Sequence, residues 1–86
     1  MTARVSERYG VGDKVTVCGR GGGYAGAVVA VVPRRCNPLI EIRRWRISGG
    51  VSRIEFRCVR DEESYIVKPE GADRLMWPEV RRMVRM

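Results

Sequence analysis

The chain is 86 residues long, with 44% hydrophobic residues and a net charge of +7 from 17 basic and 10 acidic side chains. That length holds one domain, near the small end of what folds alone, with a core that must be efficient or shared with a second copy. The longest apolar run, Ala27 to Pro33, is far short of the roughly 20 residues of a membrane span, and residues 1–8 lack the apolar stretch of a signal peptide, so a soluble, cytoplasmic protein without a membrane partner is expected.

Residues 1–9 are polar without a sustained period and read as a flexible arm. Gly10-Val11-Gly12-Asp13 is turn chemistry, with Asp13 able to cap its own turn. Val15 and Val17 then alternate with Lys14, Thr16 and Cys18, the period of a half-buried strand. Gly19 to Gly23 reads as loop. Ala27 to Val32 is β-branched and apolar on both faces, which predicts a central strand halted by Pro33. The basic turn from Pro33 to Pro38 leads to a predicted strand from Leu39 to Ile47. Its apolar side switches midway, and a bulge near Arg43-Arg44 would restore it. Ser48-Gly49-Gly50 signals a hairpin. The next predicted strand places Ile54, Phe56 and Cys58 on one face and Arg53, Glu55 and Arg57 on the other. After the acidic turn Asp61-Glu62-Glu63, Ser64 to Lys68 gives a last short strand ended by Pro69. In the tail, a turn around Asp73–Trp77 precedes Pro78, well placed to start a helix. Val80, Met83 and Val84 then share one helical stripe with Arg81, Arg82 and Arg85 around it. That stripe is expected to pack on the protein's own barrel, with self-association as the alternative.

Five short strands with glycine turns predict an all-β fold, a small five-stranded SH3-like barrel over residues 10–70 with a short C-terminal helix in residues 71–86. An immunoglobulin-like sandwich would need more strands than this length provides. The three cysteines, Cys18, Cys36 and Cys58, are widely spaced, and without histidine they cannot supply four zinc ligands. They are expected to be small packed hydrophobes, with no metal and no disulfide framework.

Two resemblances attach to these residues. Gly12-Asp13-Lys14-Val15, followed across a glycine-rich loop by Tyr24-Ala25-Gly26-Ala27-Val28-Val29 and Val31-Val32, resembles the KOW module of ribosomal proteins and transcription elongation factors. It covers about the first third of the chain and implies binding of ribosomal RNA or a transcription complex, without catalysis. The chain is also similar to the plasmid-borne type II dihydrofolate reductase of trimethoprim resistance, a tetramer of small barrels. That likeness lies at Tyr9-Gly10-Val11-Gly12-Asp13-Lys14-Val15, at Tyr24 to Val29, and at Ser64-Tyr65-Ile66-Val67-Lys68-Pro69. The pore of that enzyme is built on a Val-Gln-Ile-Tyr segment, where this chain has Tyr65-Ile66-Val67-Lys68. Ile66 stands where a glutamine contacts cofactor and substrate, so a barrel relative without that chemistry or cofactor is expected.

No catalytic constellation is present, since without histidine general acid–base work near neutral pH would fall to a perturbed carboxylate, lysine or cysteine. Gly19-Arg20-Gly21-Gly22-Gly23 lacks the Gly-Lys-Ser/Thr end and the following helix of a phosphate loop. The functional signal is charge: 15 of the 17 basic residues are arginine, whose planar fork matches phosphate and stacks on bases. A GC-rich coding sequence accounts for arginine over lysine but not for the net charge. Arg34 and Arg35 in the turn, Arg43, Arg44, Arg46, Arg53 and Arg57 on strands, and Arg20 in the loop are the candidate phosphate contacts. Trp45 and Tyr24 are the candidate stacking rings, each with packing in or over the barrel as its bland alternative. A non-enzymatic barrel that binds nucleic acid or a nucleoprotein complex through these arginines is therefore expected. A protein-interaction module, such as a phage or plasmid accessory factor, and a reductase-like enzyme are the alternatives.

Overall fold

The computed structural model describes residues 8–47, the backbone of 50–51, and 59–86. The fold is built on a two-stranded antiparallel hairpin, β1 (Lys14–Gly19) and β2 (Gly22–Val32), joined at Arg20-Gly21. The glycine-rich stretch expected to be loop is therefore mostly strand. Gly23 sits against the β1 backbone, where a Cβ would collide with the Val17 carbonyl oxygen. Glycine here marks close approach of two strands rather than a flexible connection.

Strand β4 (Ser64–Pro69) pairs with the other edge of β2, and β6 (Met83–Arg85) with the other edge of β1, giving the order β4-β2-β1-β6. All these pairings are antiparallel. Among the described residues this sheet is open, and the only other sheet is a two-residue parallel pair of β3 (Gly50–Val51) with β5 (Arg74–Leu75). Among the described residues the fold is thus a small, mostly β structure with one short α-helix, and its main sheet does not close. The hairpin expected at Ser48-Gly49-Gly50 and the strand carrying Ile54, Phe56 and Cys58 fall outside the described residues, Gly50 apart.

A bulge at Val29 governs the core. Val28 pairs with Val67, but Ala30 pairs with Ile66, so β2 carries one residue more than its partner. The insertion bends the strand and changes which face meets which neighbour. One cluster joins Tyr9, Val15, Val17, Val28, Tyr65, Val67 and Met83. A second, beyond the bulge, joins Ala30, Val32, Ile42, Ile66 and Leu75. Consecutive β4 residues, from Ser64 to Val67, are consequently all buried.

The second cluster is covered by α1 (Pro38–Arg44), where a strand was expected. Ile40 and Ile42 suggest period two, but the native contacts follow helical spacing. Leu39 and Ile42 pack on the core while Ile40 is exposed. The helix starts in a conventional way: the Asn37 side chain accepts from the Leu39 N–H at 2.9 Å and Pro38 follows at the first helical position. Alanine at Asn37 removes this cap and is expected to cost about 1 kcal/mol, or roughly 4–8 °C in Tm for a domain of this size. A thermal melt unchanged within about 2 °C would show that the cap does not hold this helix.

The C-terminal helix is also corrected. Val80–Arg82 forms a single 3-10 turn, and Met83–Arg85 then extends as β6 against β1. A free-standing helix of about nine residues is marginal, whereas a strand gains a backbone partner along the β1 edge and inserts Met83 into the core. Tyr9 was expected within the arm, whose residues 1–7 lie outside the described residues. Tyr9 is a core residue: its N–H donates to the Tyr65 hydroxyl (3.1 Å), its own hydroxyl donates to the Met83 carbonyl (3.2 Å), and the rings meet edge to face.

Candidate nucleic-acid interface

The basic turn and α1 bring most of the candidate residues to one end of the molecule. The turn is closed by the Cys36 N–H donating to the Pro33 carbonyl at 3.1 Å, and Arg35 within it has φ 61°. Only its third residue is left-handed, a position that favours glycine or asparagine. Arg34 and Arg35 each donate Nε–H to the same Asp61 oxygen at 2.9 Å. Two guanidinium groups on one exposed carboxylate leave a net positive charge, and exposed pairs of this kind add little stability.

At the other end of α1 the chain closes in a Schellman motif. The Ile47 N–H reaches the Ile42 carbonyl and the Arg46 N–H reaches the Arg43 carbonyl, both at 3.1 Å. Arg46 occupies the left-handed position, φ 51°, where glycine is usual. Trp45, whose bland reading placed it in the core, is instead 52% exposed. Its indole N–H donates to the Glu41 carboxylate one turn earlier at 3.2 Å, so the ring is tethered rather than loose. Glu41 is 5% exposed and also lies 3.8 Å from Arg44. The expected strand surface is therefore a helix end, with Arg43, Arg44, Trp45 and Arg46 exposed together.

Acidic partners are unevenly spread. Asp13 takes Arg85 (2.9 Å), Asp61 takes Arg34 and Arg35, and Glu79 takes Arg81 and Arg82. The Gly10 N–H and then Arg85 hold the Asp13 carboxyl below the usual carboxylate range, and Arg81 does the same for Glu79. Arg20, Arg43, Arg46 and Arg74 have no ion-pair partner among the described residues. Two of these four, Arg43 and Arg46, stand at the C-terminal end of α1, the negative end of the helix dipole.

Among the described residues, Arg20 and Tyr24 are not brought to this surface. Arg20 is at the β1–β2 tip, at the opposite end of the 11-residue β2. Tyr24 is half-buried against the first cluster; burial pushes its hydroxyl pKa up, while the Arg74 guanidinium acts in the opposite sense. Arg53 and Arg57 lie outside the described residues. Arg60, which carried no expectation, is instead a structural clamp. Its guanidinium lies 3.8 Å from the centre of the Trp77 ring and donates to the Trp77 and Pro78 carbonyls. The signal missed was the aromatic 17 residues later, legible only once the tail is folded back.

In the segment that corresponds to the reductase pore, Tyr65, Ile66 and Val67 are buried in the core and Lys68 alone reaches the surface. Cys18 is exposed, contrary to the packed role expected, and Cys36 is half-buried on the second cluster; Cys58 lies outside the described residues. Among the described residues no group of three or more Cys, Asp or Glu is placed to hold a metal ion, and no helix is long and apolar enough to cross a membrane. Comparison of the chain with protein-family models, with curated proteins and with solved structures finds no match in any of the three.

Proposed function

We propose that this chain is a non-enzymatic, SH3-like small barrel that binds nucleic acid or a ribonucleoprotein, with the arginines at the two ends of α1 contacting backbone phosphates and Trp45 offering a stacking surface. The observation that carries this reading is the backbone at Arg35 and Arg46. Both are left-handed, at φ 61° and 51°, and they bracket the same helix. A non-glycine residue there costs on the order of 1–2 kcal/mol, and strained positions of this kind gather at functional sites. Retaining arginine twice where glycine is easier is consistent with selection for its side chain. The SH3-like part of the reading draws on the return of the chain through a 3-10 turn to pair its last strand with its first.

The test is fluorescence anisotropy with a labelled single-stranded RNA and a labelled DNA duplex over about 50–200 mM salt. If Arg35, Arg43, Arg44 and Arg46 each meet a phosphate, log K falls against log salt with a slope near −3 for the single strand and steeper for the duplex. Affinity that ignores salt, or no binding to either probe, overturns the proposal. Asp61→Asn supplies a gain-of-function arm. Removing the carboxylate that Arg34 and Arg35 share frees both guanidiniums, so binding is expected to tighten by roughly two- to fivefold, in line with the modest strength of exposed ion pairs. A weaker complex in this variant would count against phosphate contacts from the turn.

A further inference from the structure

Among the described residues, the bend in β2 leaves part of one sheet face uncovered. Beyond the bulge, α1 and Trp77 lie over Ala30, Val32 and Ile66. Before it, no described residue lies over the same face, and there Lys14, Ala27 and Lys68 form one cross-strand row on β1, β2 and β4. Residues paired side by side across strands project to the same face. These are the only two lysines in the chain, and they stand two strands apart, about 9.6 Å between Cα atoms. Only the methyl of Ala27 lies between them. Each ammonium ends a four-carbon stem, so both reach a point above Ala27. Neither has an ion-pair partner among the described residues.

The row opens into a groove of about 370 Å³. Besides the two lysines it is lined by the apolar side chains of Ala27, Val29, Pro69 and Met86 and by Glu70, with Ala27 as the floor between the lysines. Two ammonium groups against one carboxylate leave the groove positive. A phosphate monoester carries about −1.5 to −2 at pH 7 and complements that pair. The volume lies in the range of small-ligand pockets, roughly 300–1,000 Å³, so a bare phosphate would leave most of it empty. An apolar lining that includes a methyl and a branched side chain suits a flat organic group, and Glu70 can accept from its hydroxyl or amino hydrogens.

We propose that this groove binds a nucleoside monophosphate, with the phosphate held between Lys14 and Lys68 and the base lying against Ala27 and Val29. The site is separate from the arginine surface. About five residues of strand separate Ala27 from Val32, about 17 Å, and the arginine turn begins only after that.

The test is titration of the full chain with AMP and UMP, followed by calorimetry and by amide NMR shifts, with adenosine and inorganic phosphate as parallel arms. The monophosphates are expected to bind in the millimolar range or better and to shift Lys14, Ala27 and Lys68 amides, with both partial ligands weaker. Lys14→Gln and Lys68→Gln are each expected to lose roughly tenfold, the value of one charge-assisted hydrogen bond. Ala27→Leu, which keeps every charge and fills the floor, is expected to abolish binding with an unchanged melt. Adenosine binding as well as AMP, indifference to all three substitutions, or no binding up to about 10 mM overturns the proposal. Loss in Arg43→Ala or Arg46→Ala, with the lysine variants unaffected, moves the nucleotide to the arginine surface and overturns it equally.

Discussion

Alanine at Gly26 is expected to lower the midpoint of thermal unfolding by roughly 12–24 °C. Gly26 lies on the central strand, paired with Val15 on one side and Pro69 on the other. A Cβ there would sit 2.5 Å from the Lys68 carbonyl oxygen, 2.9 Å from Val67 Cγ1 and 3.0 Å from Pro69 Cα. Two of those three atoms are backbone, so relief requires β4 to move away from β2 rather than a side chain to rotate. Overpacking of this type costs about 3 kcal/mol, and each kcal/mol is worth about 4–8 °C in a domain this small. The loss is a substantial part of a total stability of about 5–15 kcal/mol. The glycine therefore does not serve as a hinge; it sets the spacing at which β2 and β4 pack. A melt displaced by less than about 4 °C would mean that β4 does not approach β2 this closely. Calorimetry of the two proteins side by side measures this directly.

The parts of this fold that can be read from the sequence are those fixed by local pattern. Val15 and Val17 alternate with polar neighbours because β1 buries one face only, and the apolar run from Ala27 reads as central because β2 has strands on both sides. What escapes is decided at long range. Pairing of Met83–Arg85 with Val15–Val17 joins opposite ends of the chain, and no local period in the tail announces it. The helix at Pro38 is announced, by Asn37-Pro38, but the short Ile40–Ile42 alternation competes with it, and over so short a segment period two and period 3.6 are poorly separated. The bulge needed to keep a strand at Arg43-Arg44 is the sign of a wrong period; the bulge that exists is at Val29. The candidate site is legible as composition and not as geometry. Arginine gives no hint that it occupies a left-handed position, and the grouping of Arg43, Trp45 and Arg46 follows from a helix end rather than from strand spacing.

Replacing Arg35 and Arg46 together by glycine is expected to raise stability while weakening nucleic-acid binding by at least tenfold. Each arginine bears a left-handed backbone cost of about 1–2 kcal/mol, and glycine gives back about 0.5–1 kcal/mol of that gain through the greater freedom of the unfolded chain. The net gain is roughly 0.5–1 kcal/mol per site, and the two sites are at opposite ends of α1, so the gains are close to additive. A rise in Tm of roughly 4–16 °C follows. The Arg35–Asp61 ion pair that glycine removes is exposed, so its absence subtracts little. On the binding side, two fewer phosphate contacts reduce the salt slope by about 1.4 for a single strand and about 1.8 for a duplex. Lysine at both positions separates the causes: it keeps the charge and the backbone cost, so stability stays near that of the parent and most of the salt slope remains. A glycine variant that melts higher and binds as tightly as the parent would leave the two left-handed arginines without a role at the interface. One that melts lower would show that their side chains hold the ends of α1.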